Sequence, residues 1–474
     1  METETGRSAC AWARHEFGSA SLGNTLRTKR LVQLAAGVAA APAGRVTEVF
    51  DKGSDLEGAY RFLESEHVRT EAIGTAVAEA CVRRCQKSEL VYVPVDGSSL
   101  TLPDPHEVRN LGAVGKHRIG QHGLQVMSAI AVGTDGTPMG LLGQRYWARP
   151  RRRVTRHCRQ RRLADKETRY WLDVIEEVQT QWRAAGARGR LWFQLDRGGD
   201  FWEMLQYAAA SSEHWFTIRA AYDRRVRRKD ATISYLWRTV SAQSVLGHFH
   251  LEVPSSPQRQ GRMARLSVRV AHVTLWMRAR PSKKRVVAVP LQVVLSHEAH
   301  TTPRGEKPLE WMLLTTAPVD TFADAQQVVF AYTRRWRVEE FHKTWKSTCR
   351  IEDTQLRDPD RIKKWATILA AVATRIQRLT YLARTAPDTP ATEELTAHEI
   401  DAVLLIKAPE LYGRQQVLPV GQLVRWIAEL GGYRGKSSGG PPGAIVIGRG
   451  FQRIRVAAAA LRNLPPQYSR KADQ

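Results

Sequence analysis

The chain has 474 residues, 43% of them hydrophobic, and its 72 Lys and Arg outnumber 47 Asp and Glu to give a net charge of +25. That length suits about three domains, and that charge argues against an enzyme of small metabolites and for a polyanionic partner, nucleic acid first. No apolar run approaches the ~20 residues of a membrane span and the start METETGRSAC is not a secretory signal, so the expectation is a cytoplasmic protein with no membrane partner. The scattered cysteines, Cys10, Cys81, Cys85, Cys158 and Cys349, suggest reduced thiols. Cys81 and Cys85 could share a helix face, but no paired His follows at zinc-site spacing.

In chain order, residues 8 to 41 read as two helices, anchored by Trp12 and Phe17 and then by Leu26, Leu31, Leu34 and Val38. Ser54 with Glu57 forms a capping box that predicts a third helix. Arg27, Lys29 and Arg30 make this small basic module a candidate DNA-binding head, the alternative being that it only packs on the next domain. The pattern then turns to strands. Val91, Val93 and Val95 alternate up to Asp96, and Val126 to Val132 and Met139 to Trp147 form a hairpin around Asp135-Gly136. Asp135 is therefore turn chemistry. Trp171, Ile175, Val178 and Trp182 recur at helical spacing, and the strand Leu191 to Leu195 ends at Asp196.

Strand, hairpin, helix and strand, with carboxylates closing the first and last strands, is the order of a ribonuclease H-like core. In that core the two strands are neighbours, so Asp96 and Asp196 are expected to meet. A later helix should bring a third acid, and the strand-like runs between, roughly residues 222 to 318, read as an inserted sheet. Arg149, Arg151, Arg152, Arg153, Arg156, Arg159, Arg161 and Arg162 crowd one segment, and Arg224, Arg225, Arg227, Arg228 and Lys229 another. Such runs are often solvated loops, but beside embedded carboxylates they favour a DNA channel.

AYTRRWRVEEFHKTWKS, residues 331 to 347, reads as one helix, with Val338, Phe341 and Trp345 facing the core. At about 100° per residue, Tyr332, Arg335, Glu339 and Lys346 share the opposite stripe, and Glu340 points elsewhere. A carboxylate flanked by a Tyr, an Arg and a Lys suits a phosphodiester enzyme: the acid holds a cation and the other groups hold phosphate oxygens. An ordinary Arg335–Glu339 surface pair is the bland alternative. Pro387 and Pro390 mark a boundary, beyond which Leu395 to Ile406, Val420 to Leu430 and Phe451 to Leu461 look helical, the last after a Gly-rich stretch.

The Tyr-(2)-Arg-(3)-Glu-(6)-Lys spacing of Tyr332, Arg335, Glu339 and Lys346 resembles the signature of the insertion-sequence-4 group of bacterial DDE transposases. SLGNTLRTKRLV at 21 to 32, EGAYRF at 57 to 62 and EKPLEWMLLTTAPV at 306 to 319 also resemble segments of that family, in the same order. The resemblance implies an α/β chain in three parts. A helical DNA-binding domain (1–75) precedes a ribonuclease H-like catalytic core with its inserted β-subdomain (76–385), and a mostly helical dimerisation domain (386–474) follows. It implies a metal-binding triad of Asp96, Asp196 and Glu339 with two Mg²⁺, or Mn²⁺ in their place. DNA contacts would come from Tyr332, Arg335, Lys343 and Lys346, from Arg27 and Arg30 in the head, and from Trp311, for which the competing reading is an ordinary buried strand residue. The implied partners are double-stranded DNA ending in inverted repeats, target DNA and a second copy of the chain on paired ends. The implied chemistry is end nicking, a hairpin intermediate and strand transfer. One departure stands out: after the second Asp the family has Arg-Glu-Ala-Asp, and this chain has Arg197, Gly198, Gly199 and Asp200. A nuclease that stops at hydrolysis and a DNA-binding regulator that never cuts are the competing readings.

Overall fold

The head is helical, as its apolar spacing requires. Asn24 caps α2 (Thr25–Ala40) by accepting the Leu26 N–H at 2.7 Å, and Phe17 of α1 (Ala11–Phe17) packs in one core with Leu31, Leu34 and Val38. The short α3 (Val46–Val49) leads to α4 (Gly53–Glu64), in which Ser54 lies inside the first turn rather than at the cap. α5 (Thr70–Cys85) joins the head to the body, where Arg84 pairs at 2.7 Å with Glu16, itself 1% exposed, and donates to the Met139 carbonyl. The computed structural model describes residues 11–463 except 52, 105, 107, 116–120, 151–160, 228–231, 256–258, 279–285, 415 and 436–439.

Among the described residues, twelve strands form one mixed sheet. β1 (Leu90–Thr101), β2 (Gly112–Ala113), β3 (His122–Val132) and β4 (Pro138–Trp147) are antiparallel where they pair, and β1 lies parallel to β5 (Arg190–Leu195) and β5 parallel to β6 (Trp215–Arg219). α6 (Arg169–Ala184) connects β4 to β5 and α7 (Trp202–Ala210) connects β5 to β6, the crossovers that parallel pairs need. Past β6 come β7 (Arg225–Arg227), β8 (Ile233–Tyr235), α8 (Leu236–Ser241), β9 (Gly247–Val253), β10 (Arg262–Arg278), β11 (Val286–Glu298) and β12 (Glu310–Thr315). The expected insertion is present, but not as a sheet of its own. β12 pairs with β6 and continues the sheet, because the outer edge of β6 would otherwise leave its backbone groups unpaired.

A second difference concerns the stretch read as one helix over 331–347. It is two: α9 (Phe322–Thr333), held by a Thr321–Asp324 capping box, and α10 (Trp336–Ser347). Between them the bonding tightens to i−3, Arg334 N–H to Ala331 O at 3.1 Å and Arg335 N–H to Tyr332 O at 3.0 Å. Tyr332 therefore ends one helix and Glu339 belongs to the next. Val338, Phe341 and Trp345 are all fully buried, on the face expected of them.

The long α11 (Pro359–Thr385) underlies α10. It is followed by α12 (Ala397–Lys407), α13 (Val420–Leu430) and α14 (Ala444–Asn463). The Gly-rich stretch does not end before a helix at Phe451; α14 begins inside it, at Ala444. A Cβ on Gly450 would stand 2.0 Å from the Ile427 carbonyl oxygen, so glycine is what lets α14 cross α13 this closely. Among the described residues, no helix is long and apolar enough to cross a membrane.

Candidate active site

β1 does not stop at Asp96. Its antiparallel ladder with β3 runs on to Thr101, but its parallel ladder with β5 ends at Val95 opposite Leu195. Asp96 and Asp196 are thus the first residues past the end of one shared ladder, brought side by side although far apart in sequence. Asp196 begins a tight turn and accepts the Gly198 N–H at 2.7 Å. α10 lies across β1 and lays Glu339 over the same end. Arg335 bridges the two strongest contacts of the cluster, donating to Asp96 Oδ2 at 3.1 Å and to Glu339 Oε1. Glu340, one residue on, instead pairs with Arg337 at 2.6 Å.

Burial and the neighbouring Asp196 push the Asp96 carboxyl up to about 7, against the opposing pull of Arg335 and the Gly97 N–H. Burial works against the Arg335 charge, but Tyr332, Glu339 and Asp96 together hold it above its ordinary value. The cluster therefore carries more negative charge than one guanidinium offsets. Oxygen donors in this excess are what hard divalent cations bind, so the donor set fits such ions. Among the described residues, no three His, Cys, Asp or Glu side chains stand close enough together to hold an ion as they are, and Arg335 is the group that lies between two of them.

The other expected contacts spread around this centre. Tyr332 is 5% exposed, its ring 5.8 Å from the Arg335 guanidinium and 5.8 Å, edge-on, from Trp311. Trp311 is half-buried against the core. Lys346 donates to the Ser99 carbonyl at 2.6 Å and faces Glu352 at 3.7 Å, while Lys343 is exposed. In the head, Arg27 is half-buried and donates to the Leu22 carbonyl at 3.0 Å, Arg30 is half-buried against Gly58, and Lys29 is exposed. Of the two basic runs, Arg151, Arg152, Arg153, Arg156, Arg159, Arg228 and Lys229 lie outside the described residues. Arg149 is paired with Glu167 and Arg162 with Asp165.

Two side chains at the site were not anticipated. Trp336 is 58% exposed beside Arg335, and at about 40° on the same wheel it was an apolar residue on the polar side, a signal available in the sequence. Arg219, at the end of β6, draws the Tyr332 hydroxyl pKa down against burial and Asp196, which raise it. Nothing local in its sequence marks it, because β6 reaches the site only through the sheet.

The carboxylates are held from behind by a buried polar chain. His342, one turn beyond Glu339, meets Ser128 Oγ at 3.1 Å, and Ser128 is the cross-strand partner of Asp96. Gln144 donates to the same Oγ at 3.2 Å and accepts from the Tyr146 hydroxyl at 2.8 Å. Burial, with Lys346 nearby, lowers His342 to about 3, so the fold holds it neutral. An unfolded His titrates near 6.5. Its contribution is therefore complete above about pH 6.5 and is lost as pH falls toward 3, at up to about 1.4 kcal/mol per pH unit. His342→Gln should flatten the decline in urea midpoint between pH 7.5 and 5.5. An unchanged decline would assign it to other groups.

Residues 9–68 match the family model of a transposase DNA-binding domain, and residues 142–375 match that of a transposase DDE domain. The second match takes in Asp196, Glu339 and the turn between α9 and α10; Asp96 lies ahead of it and joins the site through the sheet. The chain is a DDE transposase. It is an enzyme that cleaves DNA and transfers strands with divalent metal ions, and its amino-terminal helices are a DNA-binding domain. The turn after Asp196 is tight in this transposase: a Cβ on Gly198 would lie 2.9 Å from Asp196 Oδ1 and 3.0 Å from the Trp171 ring, and one on Gly199 2.8 Å from the Leu195 side chain.

Proposed function

We propose that this transposase belongs to the insertion-sequence-4 group, near the transposon-5 transposase, and moves DNA by cut and paste. The observation that carries this is the meeting of Asp96 and Asp196 at one ladder end, with Glu339 tied to Asp96 through Arg335. The strand order β4-β3-β1-β5-β6, with only β1, β5 and β6 parallel, supports a ribonuclease H-like core over residues 76–385, between a head (1–75) and a carboxy-terminal region (386–474). Two Mg²⁺, or Mn²⁺, held by Asp96, Asp196 and Glu339 would supply the charge neutralisation that in-line phosphoryl transfer needs. Arg335 has a planar fork that suits a phosphate once its carboxylate partners are satisfied otherwise. Lys346, Lys343 and Arg219 line the approach and Lys29, with Arg27 and Arg30 behind it, offers charge on the head. Exposed Leu405, Ile406, Ile445 and Val456 on α12 and α14 suit a second copy of the chain on paired ends.

In this reading water cuts at a terminal inverted repeat, the freed 3′-hydroxyl attacks the opposite strand, and the hairpin so formed is reopened before strand transfer. Joining of a pre-cut end to a second DNA in Mg²⁺ tests it. A nuclease would degrade the end and a regulator would only bind it. Trp311 is the proposed stacking surface for a base expelled at the hairpin, a contact worth about 1–3 kcal/mol. Trp311→Ala should spare the first nick and let nicked DNA accumulate on a denaturing gel. Hairpins forming at the normal rate would leave Trp311 only its packing against Tyr332.

A further inference from the structure

The basic run at 224–229 is not one surface. Arg224 turns inward to Asp200, whereas Arg225 and Arg227 alternate outward on β7. The register shows what they join. Arg225 lies opposite exposed Tyr235, and Arg227 opposite Ile233 on one side and Thr274 on the other. Thr274 in turn faces Pro290, Trp276 faces Ala288, and His272 faces Gln292. These side chains share one sheet face, which opens along β10: Leu266 and Val268 are buried, but His272 is exposed and Thr274 and Trp276 half-exposed. The Arg227 guanidinium stacks 5.1 Å from the Trp276 ring centroid. A cleft of about 900 Å³ opens here, walled by Arg227, Thr274, Trp276 and Pro290 of the strands and by Ala209 of α7 and Thr239 of α8. The four strand segments, RVR, ISY, HVTLW and VVAVPLQ, contain no Asp or Glu.

We propose that this open face of β8, β7, β10 and β11 is a second nucleic-acid surface that binds single-stranded DNA, separate from the carboxylate site. The charged side chains of these strand segments are basic, which favours a phosphate backbone over a protein or a lipid tail. The rings of this face serve bases rather than phosphates. Outward side chains along a strand are about 6.8 Å apart, twice the 3.4 Å rise per nucleotide of one strand in a duplex. The platform therefore fits a strand drawn out of its stack. β7 begins at Arg225, next to the Arg224 that pairs with Asp200, so this face adjoins the turn after Asp196, while none of its own side chains named above belongs to the carboxylate cluster.

The test uses the full-length enzyme and fluorescein-labelled dT15, read by anisotropy, with a blunt 15-base-pair duplex of arbitrary sequence as the comparison. Trp276→Ala should weaken dT15 binding about five- to hundredfold, the range for one lost base stack, while duplex binding and end nicking stay unchanged. Trp276→Phe should recover most of it. Arg225→Gln with Arg227→Gln should reduce the log–log salt slope for dT15 by about 1.4, at ~0.7 per single-strand phosphate. Should Trp276→Ala lower the melting temperature, the arginine pair, which is exposed, decides alone. The proposal is overturned if dT15 binding is unchanged in both variants, if duplex binding falls equally, or if the variants alter sedimentation instead, which would mark a protein interface. Failure of the unaltered enzyme to nick end DNA, with dT15 binding present and weakened in both variants, would count against the catalytic reading and not against this one.

Discussion

Glu339→Ala should bind end DNA normally and fail to nick it, with a loss of at least about 10²–10³-fold, the range for removing a single hydrogen-bond donor to a transition state. The neighbouring Glu340→Ala should still cut. The two carboxylates are adjacent in sequence and equally acidic, so only placement separates them: Glu339 shares Arg335 with Asp96, and Glu340 is occupied with Arg337 on another side of α10. Glu339→Gln sharpens the comparison, since it keeps the shape and a hydrogen bond to Arg335 while removing the charge. Gel assays of binding and nicking in Mg²⁺ settle the matter. A dead Glu340→Ala beside an active Glu339→Ala would mean that the helix presents the wrong face.

The second large effect is expected at Asp200, which touches no candidate DNA contact. It is 2% exposed and accepts the Ala221 N–H at 2.7 Å, the Tyr222 N–H at 3.2 Å and Arg224 Nε at 2.9 Å. It thereby clips the loop that leaves Asp196 to the point where the inserted strands begin. Removing one partner of such a buried pair leaves an unmet charge and costs about 3–5 kcal/mol. Asp200→Ala should lower the urea midpoint accordingly and slow nicking, because Asp196 loses the anchor of its turn. Asp200→Asn keeps an acceptor for the two amides and should lose less. A loss under about 1 kcal/mol for the alanine variant would show that the loop is held elsewhere, by Gly198 and Asp196 themselves.

How much was legible in advance differs from element to element, for physical reasons. The alternation through Val95 and the run Leu191 to Leu195 are local signals of period two, and each located an acid correctly at the end of a shared ladder. Where β1 itself ended was not legible, because its second half is held by β3, and pairing with a distant strand leaves no mark in the strand's own residues. The burial of Val338, Phe341 and Trp345 followed from spacing alone. The break at Arg334–Arg335 did not, since both residues have good helix propensity and the tighter bonding there arises as α9 follows the insertion and α10 follows β1. The Gly-rich stretch misled for a related reason: Gly448 and Gly450 weaken a helix in isolation, and only the close approach of Thr348 to Gly448 and of α13 to Gly450 makes them fit within one.

The sequence by itself determined the charge, the helical head, the strands that lead to Asp96 and Asp196 and the choice of three candidate acids, because composition and short periodicities are properties of the chain. Tertiary structure alone decided which arginine reaches them, that β12 joins the insertion to β6, that Asp200 rather than a DNA phosphate takes Arg224, and that Arg225 and Arg227 face outward beside Trp276. Each of these depends on a partner tens to hundreds of residues away, and an amino acid carries no record of the neighbour that folding will bring to it.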